Sequence, residues 1–344
     1  MPTRHDDIRG PRIPVSLTAL LPGLILSAVV AGAASFVSAN AGGPVMLLAL
    51  LIGMALAPAF EKGSKPGPGI AFASKRILQV GIALLGARVV LEDVLSLGWG
   101  VAALVMGGMA CAITMGIVVS QSLSRGRRFG VLLGGATAIC GASAALAISA
   151  VLPRGPDLER QTAFTVIIVT TLSTAAMVMY PSLFQVLGLE DRAIGILLGA
   201  TIHDVAQVVG AGFAVSPEAG ETATIVKLFR VAFLLPVILV IGLVYSASSQ
   251  GSVDARPPLV PYFLVAFAAL VLVNSAGLVP DDLGQALRTL SQACLVTAIA
   301  AVGLATPIKD VTDVGWAPLV AAVATTLTLL TFCVLGLFFF LGGA

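Results

Sequence analysis

Charge is what this sequence has least of. Only 10% of its 344 residues are Asp, Glu, Lys or Arg, against about 25% in an ordinary water-soluble domain. With 58% apolar residues, too little polar surface exists to cover a soluble globule of this size. A bilayer tolerates such a composition, and only helices or closed barrels span one. The apolar runs lack the period-two alternation of barrel strands, so an all-α polytopic membrane protein is expected. Cysteine is also sparse. Cys111, Cys140, Cys294 and Cys333 lie far apart inside apolar runs with no CxxC spacing, so neither a disulfide framework nor a metal centre is expected. The net charge of +2 gives no reason to expect a nucleic-acid partner. No metal-ligand cluster and no nucleophile–base pair of recognisable spacing occurs, so neither an enzyme nor a cofactor is expected, and no polar stretch is long enough for the output domain of a sensor.

A span requires about 20 mostly apolar residues. Eleven candidate segments emerge: Val15–Phe36, Pro44–Ala59, Ile77–Leu91, Val101–Ser120, Gly130–Leu152, Ala163–Leu187, Ala193–Ala214, Ala223–Ser246, Leu259–Gly277, Ala286–Ala305 and Trp316–Leu341. The expected fold has about 10–11 transmembrane helices, one or two of them discontinuous. Residues 1–13 form a cytoplasmic N-terminal segment and residues 14–344 one transmembrane domain. Ala39-Asn40-Ala41 resembles a signal-cleavage site, but the apolar run before it is long for a leader, and the first helix is read as retained. With the N-terminus in the cytoplasm, 13 of the 19 Lys and Arg fall on that side, as the positive-inside rule requires. In that count Arg192 is cytoplasmic, whereas Arg88, Arg154, Arg160 and Arg288 are external.

The chain resembles itself. Gly86, Asp93, Gly98 and Trp99 match Gly303, Asp310, Gly315 and Trp316 at one offset of 217. Both tryptophans fall on the match. The same offset maps about 14–121 onto 231–341, flanking central helices at 130–214. Seven spans separate the partners, an odd number, so the two copies are expected to be inverted, the arrangement of secondary transporters with a midplane site.

Two segments differ from the rest. Gly134-Gly135-Ala136-Thr137-Ala138-Ile139-Cys140-Gly141-Ala142-Ser143 is glycine- and hydroxyl-rich at span depth. Such sequence weakens a helix, and a half-helix N-terminus there offers free N–H groups to an anion. Packing through small residues is the alternative. In Thr201-Ile202-His203-Asp204-Val205-Ala206-Gln207, His203 and Asp204 lie at mid-span, where an ionisable side chain costs roughly 2.5–3.5 kcal/mol on insertion scales. Imidazole is the side chain that titrates near neutrality, a carboxylate carries a proton or a cation, and Gln207 shares the face of His203. Lys227 and Arg230, three residues apart, share a helix face, with Arg230 deeper in the span.

These three stretches, Gly-Ala-Thr-Ala-Ile-Cys-Gly-Ala-Ser-Ala at 135–144, Gly-Ala-Thr-Ile-His-Asp-Val-Ala-Gln-Val-Val at 199–209 and Val-Lys-Leu-Phe-Arg-Val at 226–231, resemble the sulfate exporter family of bacterial inner-membrane proteins over nearly the whole chain. Asp204 stands where that family more often has Glu, and Ala145 where it has Ile. The resemblance implies an inverted-repeat carrier, distantly similar to bile-acid symporter and sodium–proton antiporter architectures, that exports a small sulfur oxyanion or organosulfonate. The expected roles are substrate binding by Thr137, Cys140, Gly141, Ser143, Lys227 and Arg230, and coupling to a proton or sodium ion by His203, Asp204 and Gln207, with no catalytic or metal-binding residue. The expected partners are the small anion, the coupling ion and the bilayer. Self-association is left open, and a cation antiporter and a channel stay as alternatives.

Overall fold

A computed structural model describes residues 17–42, 44–60, 65–153, 157–246, 262–305 and 316–340. The N-terminal segment 1–13, with Arg4, Arg9 and Arg12, lies outside the described residues, as do Lys62, Arg154, Arg256, Lys309, Asp310 and Gly315. Among the described residues every regular element is a helix. The helices are α1 Leu17–Ala41, α2 Val45–Leu56, α3 Gly67–Phe72, α4 Leu78–Leu85, α5 Leu91–Ser96, α6 Gly98–Ser122, α7 Gly126–Ala138, α8 Ala142–Val151, α9 Leu158–Val186, α10 Asp191–Thr201, α11 Val205–Val215, α12 Pro217–Ala232, α13 Leu234–Ser246, α14 Tyr262–Ser275, α15 Asp281–Leu304 and α16 Trp316–Phe340. A π-helical turn over Ala73–Ile77 joins α3 to α4.

Among the described residues, seven helices are long and apolar enough to cross a membrane: Thr18–Ala41, Gly67–Leu85, Gly98–Ser122, Arg160–Val186, Pro217–Tyr245, Asp281–Leu304 and Trp316–Phe339. Large apolar side chains on their outer faces stay exposed, among them Ile25, Val29, Phe36, Met179 and Leu243. Bare apolar surface of this kind is stable against lipid, which is as apolar as leucine. Trp99 and Trp316 are exposed at opposite ends of the bundle, the placement expected of interfacial anchors.

Two of the eleven candidate segments do not cross. The run Gly130–Leu152 is interrupted at Ile139–Gly141, where Gly141 adopts φ +65°, a conformation open to glycine without a side-chain clash. α8 then folds back along α7, with the Ile148 side chain lying against Gly135. The starts of α7 and α9 consequently come together: Arg125, Phe129, Asp157, Arg160, Gln161 and Phe164 line one pocket, with Pro318 of α16. The run Ala193–Ala214 is interrupted at Ile202–Asp204. α10 runs beside α12 in the same direction, Gly195 against Ala219 and Thr222 and Gly199 against Ala223 and Val226. α11 runs the opposite way, Gly212 meeting Gly220. Both segments are re-entrant hairpins. One enters from the Arg125 end. The other enters from the opposite end, where Arg192 hydrogen-bonds Ser96 just before α6. Their length and apolarity match those of a span, so hydropathy could not separate the two cases.

The hairpins correct the charge assignment. Arg160 lies at the Arg125 end rather than opposite it, and Arg192 lies at the end that carries Arg88 and Arg288. Moving one residue each way leaves the cationic bias between the two ends unchanged.

The offset of 217 recurs in the packing. Gly86 lies against Phe267 and Leu270, and Gly303 lies against Leu50 and Gly53. Each residue of one contact is the offset partner of a residue in the other.

Candidate functional site

The two hairpin tips meet inside the protein. The last carbonyls of a helix have no intrahelical partner, and α7 and α10 both end at depth, on Ala138 and Thr201. α12 supplies the missing donors. Arg230 donates from Nε to the carbonyl of Ala138 (2.9 Å), from Nη1 to those of Gly199, Ala200 and Ile202 (3.0, 2.7 and 3.1 Å), and from Nη2 to those of Thr137 and Ala138 (2.9 and 2.6 Å). Lys227 Nζ donates to the carbonyls of Ile139 (2.6 Å) and Ile202 (2.8 Å). Both side chains are completely buried. The three-residue spacing places them on one face of α12, so a single helix clamps both tips. The negative pole of each half-helix faces a cation.

This arrangement divides the segment expected to hold an oxyanion. Thr137, Ala138 and Ile139 present carbonyls to the cations. The N–H pole begins only after Gly141, where α8 opens without a side-chain cap. Ser143 Oγ and Cys140 Sγ are 2.8 Å apart at that opening. Arg230 directs all three of its nitrogens to backbone carbonyls, so its charge neutralises helix ends.

The second tip lies against the first, with His203 and the Asp204 amide about 3.8 Å from where a Cβ on Gly141 would stand. Asp204 is the N-cap of α11, its Oδ1 accepting from the Ala206 amide at 2.8 Å. That carboxylate lies at the positive pole of its helix, and its own amide donates to Ser173 Oγ at 3.0 Å. His203 Nε2 is 3.0 Å from Thr326 Oγ1 of α16. Gln207 Nε2 donates to Thr174 Oγ1 of α9 at 3.3 Å. Three atoms of the cluster are buried and have no hydrogen-bond partner: Thr137 Oγ1, His203 Nδ1 and Gln207 Oε1. Buried polar atoms are normally satisfied, and three orphans around one junction mark a place where a bound species would supply the missing partners.

All nine residues singled out in the sequence therefore stand at or beside one junction. Sequence reasoning missed the supports Ser173, Thr174 and Thr326. Their signal was the hydroxyl pairs Ser173-Thr174 and Thr325-Thr326 inside otherwise apolar helices. It also missed the shared tripeptide Gly-Ala-Thr at 135–137 and 199–201, which marks both tips.

Residues 22–322 match the family model described as Conserved hypothetical protein 698. The chain is 47% identical over 325 residues to the UPF0324 membrane protein TauZ of Paracoccus denitrificans, covering 93% of this chain and 96% of the relative. It is 47% identical over 309 residues to the UPF0324 membrane protein CT0845 of Chlorobaculum tepidum, covering 90% and 86%. It is 46% identical over 333 residues to the UPF0324 membrane protein RB0971 of Rhizobium meliloti, covering 96% of each chain. No solved structure matches the chain. Similarity at this level over nearly the full length, joined to a polytopic helical fold, settles the family to which the motifs pointed: the chain belongs to the UPF0324 membrane proteins.

Proposed function

We propose that the protein is a secondary active transporter that exports a small sulfur-containing anion, of the sulfate, sulfite or organosulfonate class, by alternating access coupled to a proton or sodium gradient. The observation that carries this reading is the junction of two re-entrant hairpins entering from opposite ends, with Thr137, His203 and Gln207 each leaving a buried polar atom unpartnered there. Broken backbone at membrane depth is tolerated where it is enclosed by protein or lines a cavity, and it is the usual place for transporter substrate sites. The reciprocal contacts of Gly86 and Gly303 support the inverted repeat that alternating access uses.

In this reading the oxyanion meets the N-terminal pole of α8 with Ser143, and the hydroxyl of Thr137. Lys227 hydrogen-bonds Ile139 of the same tip and contributes positive potential. Arg230 holds the tips together. His203, Asp204 and Gln207 couple the anion to the ion. The N-terminus faces the cytoplasm of a bacterial inner membrane, because the Arg125 end holds Arg125, Arg127, Arg128 and Arg160, and positive residues stay inside. Asp204 at the junction favours a second reading, a sodium- or proton-coupled cation antiporter.

The test is solid-supported-membrane electrophysiology on purified protein in liposomes, with jumps of sulfate, sulfite, taurine and sulfoacetate at two pH values. The reading expects a saturable, pH-sensitive current for at least one anion, abolished in His203→Ala. Silence for all four, with currents evoked by sodium or proton jumps alone, rejects the sulfur-anion carrier in favour of the antiporter.

A further inference from the structure

A second group of cations lies away from the junction. At the end opposite Arg125, a cleft of about 200 Å³ opens between α2 (Val45, Met46), the end of α4 (Leu85, Arg88), α15 (Arg288, Ser291, Gln292, Leu295) and the turn from α11 to α12 (Phe213, Pro217). Two guanidinium groups line it, and none of the lining residues is acidic. Arg88 Nε is ion-paired with Glu221 of α12, both side chains being partly exposed. Neither arginine is demanded by the scaffold. At the offset of 217 their counterparts are Ala305 and Ala71, so both cations depart from the internal repeat at the same end. α11 connects the cleft to the junction: Phe213 lines the one and Gln207 the other. Six residues at a rise of about 1.5 Å each separate the two sites by roughly 9 Å.

We propose that this cleft is an oxyanion-binding vestibule, taking a free small sulfonate or sulfate-type anion on the Arg88–Arg288 pair, and that Glu221 competes with the anion for Arg88. A guanidinium recognises a tetrahedral oxyanion through paired N–H donors. Two such groups in a concave site raise the local anion concentration. Because Glu221 sits on the helix that carries Lys227 and Arg230, transfer of Arg88 from Glu221 to the anion links occupancy of the vestibule to the clamp helix. The inference rests on the carrier reading for its purpose, but its test does not require transport.

In a Cys111→Ala, Cys294→Ala background, Gln292→Cys is titrated in lipid-free detergent with an anionic sulfonatoethyl and a cationic trimethylammonioethyl methanethiosulfonate. Each rate is normalised to free cysteine. The anionic reagent is expected to react roughly tenfold faster, a field effect at the lower end of electrostatic focusing. Arg88→Gln and Arg288→Gln each lower that ratio, Glu221→Gln raises it, and sulfate slows the anionic reaction. A ratio near one that Arg88→Gln leaves unchanged overturns the vestibule. Protection by phosphatidylglycerol but not by sulfate assigns the arginines to a lipid headgroup and overturns it equally. Charge-selective labelling in an electrically silent protein would keep the cleft and reject the carrier, whereas anion currents without charge selectivity would do the reverse.

Discussion

Arg230 is the residue on which the junction depends most. Its guanidinium accepts nothing and donates to the ends of two half-helices at once, a geometry that a planar five-donor fork fits and an ammonium does not. Arg230→Ala leaves the carbonyls of Thr137, Ala138, Gly199 and Ala200 buried without these donors. A buried carbonyl left without its donor costs about 1–3 kcal/mol. The expected outcome is a sharply lower thermal midpoint in detergent for Arg230→Ala, with only partial recovery in Arg230→Lys. A variant as stable as the parent would show that the clamp is dispensable. The sequence marked Arg230 by its depth and its spacing from Lys227. It could not show what the guanidinium touches, because the partners are backbone carbonyls some 28 to 93 residues away, and a carbonyl leaves no trace in residue identity. Beside the substrate-binding role expected of Arg230 stands a helix-end role.

Among the elements, the hairpin α7–α8 is held by close packing on α6. A Cβ at Gly134 would lie 2.8 Å from Ile113 Cα, and one at Gly116 would lie 2.7 Å from Gly134 Cα. Helices approach this closely in membranes through small residues. Gly134→Val is expected to cost about 1–3 kcal/mol by overpacking and to lower the thermal midpoint in detergent. Gly32→Ala, with nothing within 4 Å of its Cβ, is expected to be neutral or slightly stabilising, since alanine is the better helix former by about 0.5–1 kcal/mol. Equal losses in the two variants would contradict the packing account. Helix content and most helix positions were legible in the sequence, since long apolar runs without period-two alternation admit no other spanning structure. The re-entrant course was not, because a folded-back pair whose entering helix is buried in protein is as apolar as a span. Residues Phe129–Ala138 and Ala193–Thr201 are all buried, whereas true spans show lipid-facing side chains such as Ile25 and Phe36. Burial, which separates the cases, is a tertiary property.

At the scale of the molecule, two hairpins of opposite entry meet at a clamp helix, inside a frame whose contacts recur at an offset of 217. The sequence showed that offset through Gly-Trp pairs, and it placed all the polar candidates in three stretches. What it could not show is that those stretches converge, since Ser173, Thr326 and Lys227 come together only when the chain folds. Alternating access requires the junction to open to each end of the protein in turn. Its most direct test is Ser143→Cys in a Cys111→Ala, Cys140→Ala, Cys294→Ala background, reconstituted in liposomes and treated with a membrane-impermeant thiol reagent from each side in turn. Modification is expected from either side, slowed from both by the transported anion. Modification from one side alone, whatever ion gradient is applied, would contradict it.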